Sequence, residues 1–151
     1  MSIKVLWTNY KIYGIIMGIV LGTIVYNMAS IDFTFSYIHS VKNIDFIDSY
    51  LYLLMDFLKF YVFILISSFF KVKEKLYTIL MGIESFKLAG SIVVFIRMHN
   101  MLCAGNFIEP VFKIAAILLF MKNDKVVFNK IIAIIILLLG AMFENILINF
   151  L

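Results

Sequence analysis

Residues Tyr50–Phe70 read YLYLLMDFLKFYVFILISSFF, and Leu76–Met98 read LYTILMGIESFKLAGSIVVFIRM, with Lys71-Val72-Lys73-Glu74-Lys75 between them. Each apolar run has the roughly 20-residue length that a helix rising ~1.5 Å per residue needs to cross about 30 Å of hydrocarbon. The basic pentapeptide between them demands water and forces a short turn. Two such runs around so short a polar turn read as a membrane hairpin.

Working outward, a first span is expected over 10–29, opened by Thr8, Asn9 and Lys11 and closed by Asn27 and Ser30. The stretch Ser30–Ser49 holds Asp32, His39, Lys42, Asp45 and Asp48 among isolated aromatics, so it is too polar to cross. Phe33, Phe35, Tyr37 and Ile38 would let it lie at the interface. The spans at 50–70 and 76–98 come next. After Arg97 the apolar pattern is interrupted by His99-Asn100, Gly105-Asn106, Glu109 and the single proline, Pro110. Proline disfavours helix for the residue before it and starts a new helix well. A fourth segment, 101–121, is therefore expected to be short or broken at Pro110, spanning or re-entrant. Lys122-Asn123-Asp124-Lys125 and Lys130 precede a last span, 131–151. The expected fold is an all-α integral membrane protein, one domain over 1–151, forming a bundle of about five transmembrane helices.

Composition points the same way. Hydrophobic residues make up 64% of the 151 residues, against about 45–50% in soluble domains. The net charge is +4, but the lysines sit at the ends of apolar runs, where they act as topology signals. With 16 Phe and 8 Tyr falling in or beside the spans, the aromatics read as lipid-facing and interfacial groups. Nucleic acid is therefore not an expected partner, whereas the lipid bilayer is. Cys103 is the single cysteine, which excludes an intrachain disulfide and a cysteine-based zinc site. The apolar run from Ile12 is too long for a cleavable signal peptide, and no small-residue cleavage site follows it.

Lys4 and Lys11 precede span one, Lys71, Lys73 and Lys75 follow span two, and Lys122, Lys125 and Lys130 follow span four. If all five segments cross, these groups share one side and only Lys42 and Arg97 face the other. The positive-inside rule then puts the N-terminus in the cytoplasm and the C-terminus outside. A bacterial cytoplasmic membrane is the expected location.

Gly14, Gly18 and Gly22 form a GxxxGxxxG stripe on the first span. Spacing of four keeps them on one face, where another backbone can approach closely. The partner is a helix of the same chain, which is the preferred reading, or another membrane protein or a second copy. Charges inside the spans are the other signal. Asp56 and Lys59 lie one turn apart in span two, and Glu84 and Lys87 one turn apart in span three. An antiparallel pair of helices would set both lysines at similar depth and make an alternating cluster. A structural clasp that fixes register is the preferred reading, and an ion or proton pathway the rival. Glu109 and Lys113 have i, i+4 spacing suited to pairing. Glu144 lies beside Asn145 with no base near it in sequence, and an intramembrane acid is a functional hypothesis by default. Arg97 and Lys113 are its candidate partners. His99 and Cys103 could form a thiolate pair, but no oxyanion donor accompanies them and their spacing does not match the peptide-processing membrane proteases. No metal site, cofactor fingerprint or catalytic set is expected.

Ile15–Ala29, Leu80–Ser91 and Asn100–Phe120 together resemble the stage II sporulation protein M family. Ile15–Ala29 (IIMGIVLGTIVYNMA) looks like its glycine-rich first helix. Leu80–Ser91 (LMGIESFKLAGS) looks like its central small-residue patch, and Asn100–Phe120, with Asn106 and Pro110, like its Asn/Pro-containing approach to the next helix. The resemblance implies a non-enzymatic bacterial membrane component, acting as a complex scaffold in sporulation or beside a transporter. The leading expectation is thus a membrane protein that works through partner proteins. A small transporter or permease subunit using the charge cluster is the alternative, and a membrane cysteine protease a distant third.

Overall fold

The structure is a computed structural model and describes residues 3–28, 45–98, 105–122 and 127–150. Of the interfacial segment expected over 30–49, residues 30–44 lie outside these residues, as does the His99/Cys103 pair, whereas Phe46–Ser49 open a helix that continues to Ser67. Five helices follow in order: α1 (Ile3–Met28), α2 (Phe46–Ser67), α3 (Lys73–Met98), α4 (Gly105–Lys122) and α5 (Val127–Phe150), with no strand among the described residues.

Three stretches, Phe46–Ser67, Lys73–Arg97 and Val127–Asn149, are long and apolar enough to cross a membrane. The apolar part of α1, Ile12–Met28, is shorter. The 18 residues of α4 include Glu109, Lys113 and Lys122. Large apolar side chains face outward around the bundle, including Tyr13, Phe63, Ile96 and Phe128. In water that surface would be an aggregation liability; in lipid it is the ordinary outer face of a membrane protein.

Helix ends follow local hydrogen bonding. Ser67 Oγ donates to Phe63 O at 2.7 Å and Ser68 Oγ to Leu65 O at 2.6 Å. These side-chain bonds compete with the helical ladder, and α2 stops at Ser67, short of the expected Phe70. The turn to α3 is closed by Phe69 N–H donating to Ile66 O and Phe70 N–H to Ser67 O. At the far end of α2, Asp48 lies in the first turn, where a carboxylate favours the helix dipole.

The expected break at Gly105, Asn106, Glu109 and Pro110 is absent: all four belong to one continuous helix, α4, with Pro110 inside it and buried. The reason is position. Proline removes one N–H donor, and so close to the helix start it leaves only the Asn106 carbonyl without its i+4 partner. Membrane helices tolerate such a loss where neighbouring helices pack around the site.

The packing order also departs from sequence order. α1 lies along α3, α2 lies against α5, and α4 sits between α3 and α5; α2 touches α3 only sparingly. Leu53 and Phe57 of α2, Met81 of α3, Ala116 and Phe120 of α4 and Leu137 of α5 form the core. Close approach is set by small residues. A Cβ at Gly140 on α5 would stand 2.8 Å from the Phe112 ring of α4 and 3.0 Å from the Phe57 ring of α2.

Candidate functional site

The glycine stripe faces α3 of the same chain, with Gly18 and Gly22 buried and Gly14 half-buried. A Cβ at Gly14 would lie 2.8 Å from the Thr78 carbonyl oxygen, and Cβ atoms at Gly18 and Gly22 would collide with the carbonyls of Gly82 and Phe86. The contacted positions step by four along α3, as the glycines do along α1, so the two backbones run in register. Tyr26 packs against Phe86 with the rings tilted by 59° and their centroids 5.6 Å apart, and Arg97 donates to the Tyr26 carbonyl at 3.1 Å. The guanidinium thereby meets a carbonyl in the last turn of α1 that lacks a helical partner.

The charges of α2 and α3 do not meet each other. They are joined through α4, which supplies a base and an acid one turn apart. Lys113 Nζ lies 2.6 Å from Asp56 Oδ2 and 2.6 Å from Glu109 Oε1. Lys87 Nζ lies 3.1 Å from Glu109 Oε1 and 3.4 Å from Glu84 Oε1. The result is one alternating chain, Glu84–Lys87–Glu109–Lys113–Asp56, across three helices. The expected clasp directly between α2 and α3 is corrected on this point, because those helices are not packed face to face. Lys113 is shielded by the Phe57 and Phe60 rings, whose centroids lie 5.2 and 5.1 Å from its Nζ. A cation over aromatic faces gains further electrostatic stabilisation when desolvated.

Lys59 stands apart from this chain. It makes no ion pair or hydrogen bond among the described residues, and its side chain is exposed. It lines a cavity of about 220 Å³ with Tyr52, Met55, Asp56, Lys87 and Glu109. The cavity is open to one side: the side chains of Asp56 and Lys87 are 49% and 42% exposed, whereas Lys113 and Glu84 are each 4%.

Glu144 lies on α5 with 0% exposure, and neither carboxyl oxygen has a hydrogen-bond partner. Neither Arg97 nor Lys113 forms a hydrogen bond with it. Its neighbour Asn145 is bonded at both ends of its amide: Ser49 Oγ donates to Asn145 Oδ1, and Asn145 Nδ2 donates to the Phe46 carbonyl at 3.2 Å. Asn149 Nδ2 adds donations to Asn145 Oδ1 at 2.9 Å and Ser49 Oγ at 3.2 Å. This polar clasp, which holds the start of α2 to the end of α5, was not legible beforehand. The Asn145/Asn149 spacing of one turn was the available signal.

Among the described residues no group of three or more His, Cys, Asp or Glu side chains is placed to hold a metal ion. The arrangement can neutralise charge between the helices, fix the order of three helices and present an open polar pocket at the surface of the bundle. Compared with known proteins, the chain matches no family model, no curated protein and no solved structure.

Proposed function

We propose that this is a non-enzymatic, multi-pass membrane protein that works by binding other membrane proteins. On this reading all five helices cross a bacterial cytoplasmic membrane, with the Lys71–Lys75 turn inside and the C-terminus outside. The observation that carries it is the sideways opening of the charged cavity. Asp56, Lys59 and Lys87 are exposed near the middle of helices long enough to span. A charge left facing hydrocarbon there costs about 2.5–3.5 kcal/mol on insertion scales. A surface of this kind is suited to being covered by protein. The sequence resemblance to the stage II sporulation protein M family implies the same mode of action.

A photo-reactive phenylalanine analogue placed at Tyr52 tests the reading in native membranes, with the same group at the exposed Ile135 of α5 as control. Discrete protein adducts from position 52 support it. Lipid adducts alone at both positions overturn it. A second reading, a small permease subunit, is favoured by one feature, the unpartnered Glu144. Ion or solute flux through reconstituted protein, lost in Glu144→Gln, would establish that reading instead.

A further inference from the structure

Along α2, Tyr52, Met55, Lys59, Val62 and Ile66 are all exposed. Their spacing of three and four places them on one continuous stripe. The buried stripe of the same helix, through Leu53, Phe57 and Ile64, lies opposite: Lys59 is two positions after Phe57, a rotation of about 200°. Lys59 is therefore at the centre of the outward face. It is also deep. Ser67, the nearer end of α2, is eight positions further on, so the lysine sits about two turns inside. All its neighbours on the stripe are apolar or aromatic.

Resting on the partner-binding reading above, we infer that the outward stripe of α2 is the docking face for a transmembrane helix of another protein, one that carries a carboxylate at the depth of Lys59. Charge complementarity selects this occupant. An ammonium group facing lipid at that depth is unfavourable by several kcal/mol, and a matched carboxylate removes most of that cost while fixing depth and register. The acids already near Lys59 are committed: Asp56 to Lys113 and Glu109 to both Lys113 and Lys87. A second copy of this chain fits less well. Two copies related by a twofold axis along the bilayer normal bring equivalent residues of the stripe together at equal depth, which sets Lys59 against Lys59. Asp48, the other acid on α2, is eleven residues away, about 16 Å along the axis.

The test uses the full chain in phosphatidylcholine vesicles and a synthetic polyleucine helix with one central glutamate, each carrying one partner of an energy-transfer pair. Control helices carry leucine at the centre, or the glutamate moved two turns toward one end. The central-glutamate helix should associate at least tenfold more strongly than either control. Lys59→Met should abolish that preference while leaving the detergent melting temperature unchanged, because Lys59 holds no other group. Lys59→Glu should restore association with a helix bearing a central lysine. Equal association of glutamate and leucine helices, or indifference to Lys59→Met, overturns the proposal. Energy transfer between copies of the chain that Lys59→Met removes would assign the face to self-association and also overturn it. If protein adducts at position 52 in native membranes persist unchanged in Lys59→Met, this inference fails and the broader partner reading stands. If no protein adduct forms at all, the broader reading fails as well.

Discussion

Lys113 Nζ on α4 lies 2.6 Å from Asp56 Oδ2 on α2, although the two residues are 57 positions apart in sequence. The same ammonium holds Glu109, so one buried cation serves two carboxylates. Removing it leaves Asp56 without its base and Glu109 with Lys87 alone. Lys113→Met should therefore destabilise the bundle by about 3–5 kcal/mol, the usual cost of breaking a buried pair from one side. Lys113→Met combined with Asp56→Leu should recover part of the loss. Detergent melting of the single and double variants reads this directly, and strictly additive losses would remove the coupling.

The α1–α3 contact offers a graded test. A Cβ at Gly18 would run into the Gly82 carbonyl, whereas a Cβ at Gly82 would sit 3.3 Å from the Gly14 carbonyl oxygen. The first clash is with backbone, which cannot rotate away. Gly18→Ala should loosen α1 from α3 by roughly 1–3 kcal/mol, the typical cost of overpacking, and Gly82→Ala by clearly less. Disulfide trapping between cysteines at Met17 and Ile79, both beside the groove, should fall in that order. Equal trapping in the two variants would show that the backbones are not in close contact.

The glycine stripe was legible in sequence because its signal is local: three small residues at fixed spacing expose one backbone face. The long apolar runs were legible for the same reason. The charge network was legible in membership but not in pairing. Sequence adjacency placed α2 beside α3, yet α4 carries both Glu109 and Lys113 and bridges them. Which helices touch depends on packing between distant segments, and Gly140, the small residue that admits Phe112 and Phe57, sits in an otherwise featureless apolar run. Pro110 misled for a positional reason. Its effect on a helix depends on distance from the helix start, and the start at Gly105 is not marked by the apolar pattern.

The clasp between α2 and α5 predicts a modest, local effect. Asn145 accepts from Ser49 and Asn149 and donates to the Phe46 carbonyl. Hydrogen bonds between membrane helices contribute about 0.6 kcal/mol on average and up to about 1.7. Asn145→Leu should lower stability by about 1–2 kcal/mol, and Ser49→Ala by less, since Asn149 remains bonded to Asn145. Hydrogen exchange should rise first at the start of α2. Uniform loosening of all helices in Asn145→Leu would argue against a local clasp.

Glu144 predicts a change of opposite sign. Its carboxyl is fully buried and both oxygens lack hydrogen-bond partners. A buried polar group without a partner costs about 1–3 kcal/mol, and replacing it with an apolar group of similar shape relieves that cost. Methionine is unbranched, adaptable and close in length, so it fills the site with little strain. Glu144→Met should raise detergent stability by about 1–3 kcal/mol. Glu144→Gln, which keeps a polar end in the same place, should change it far less. A loss of stability in Glu144→Met would mean that the carboxyl holds a group in the folded protein. A carboxyl kept against stability is a mark of use, and the stabilised variant shows which use. If Glu144→Met melts higher and keeps its protein adducts at position 52, the acid is not needed for partner binding. If it melts higher and flux disappears, the permease reading replaces the scaffold one.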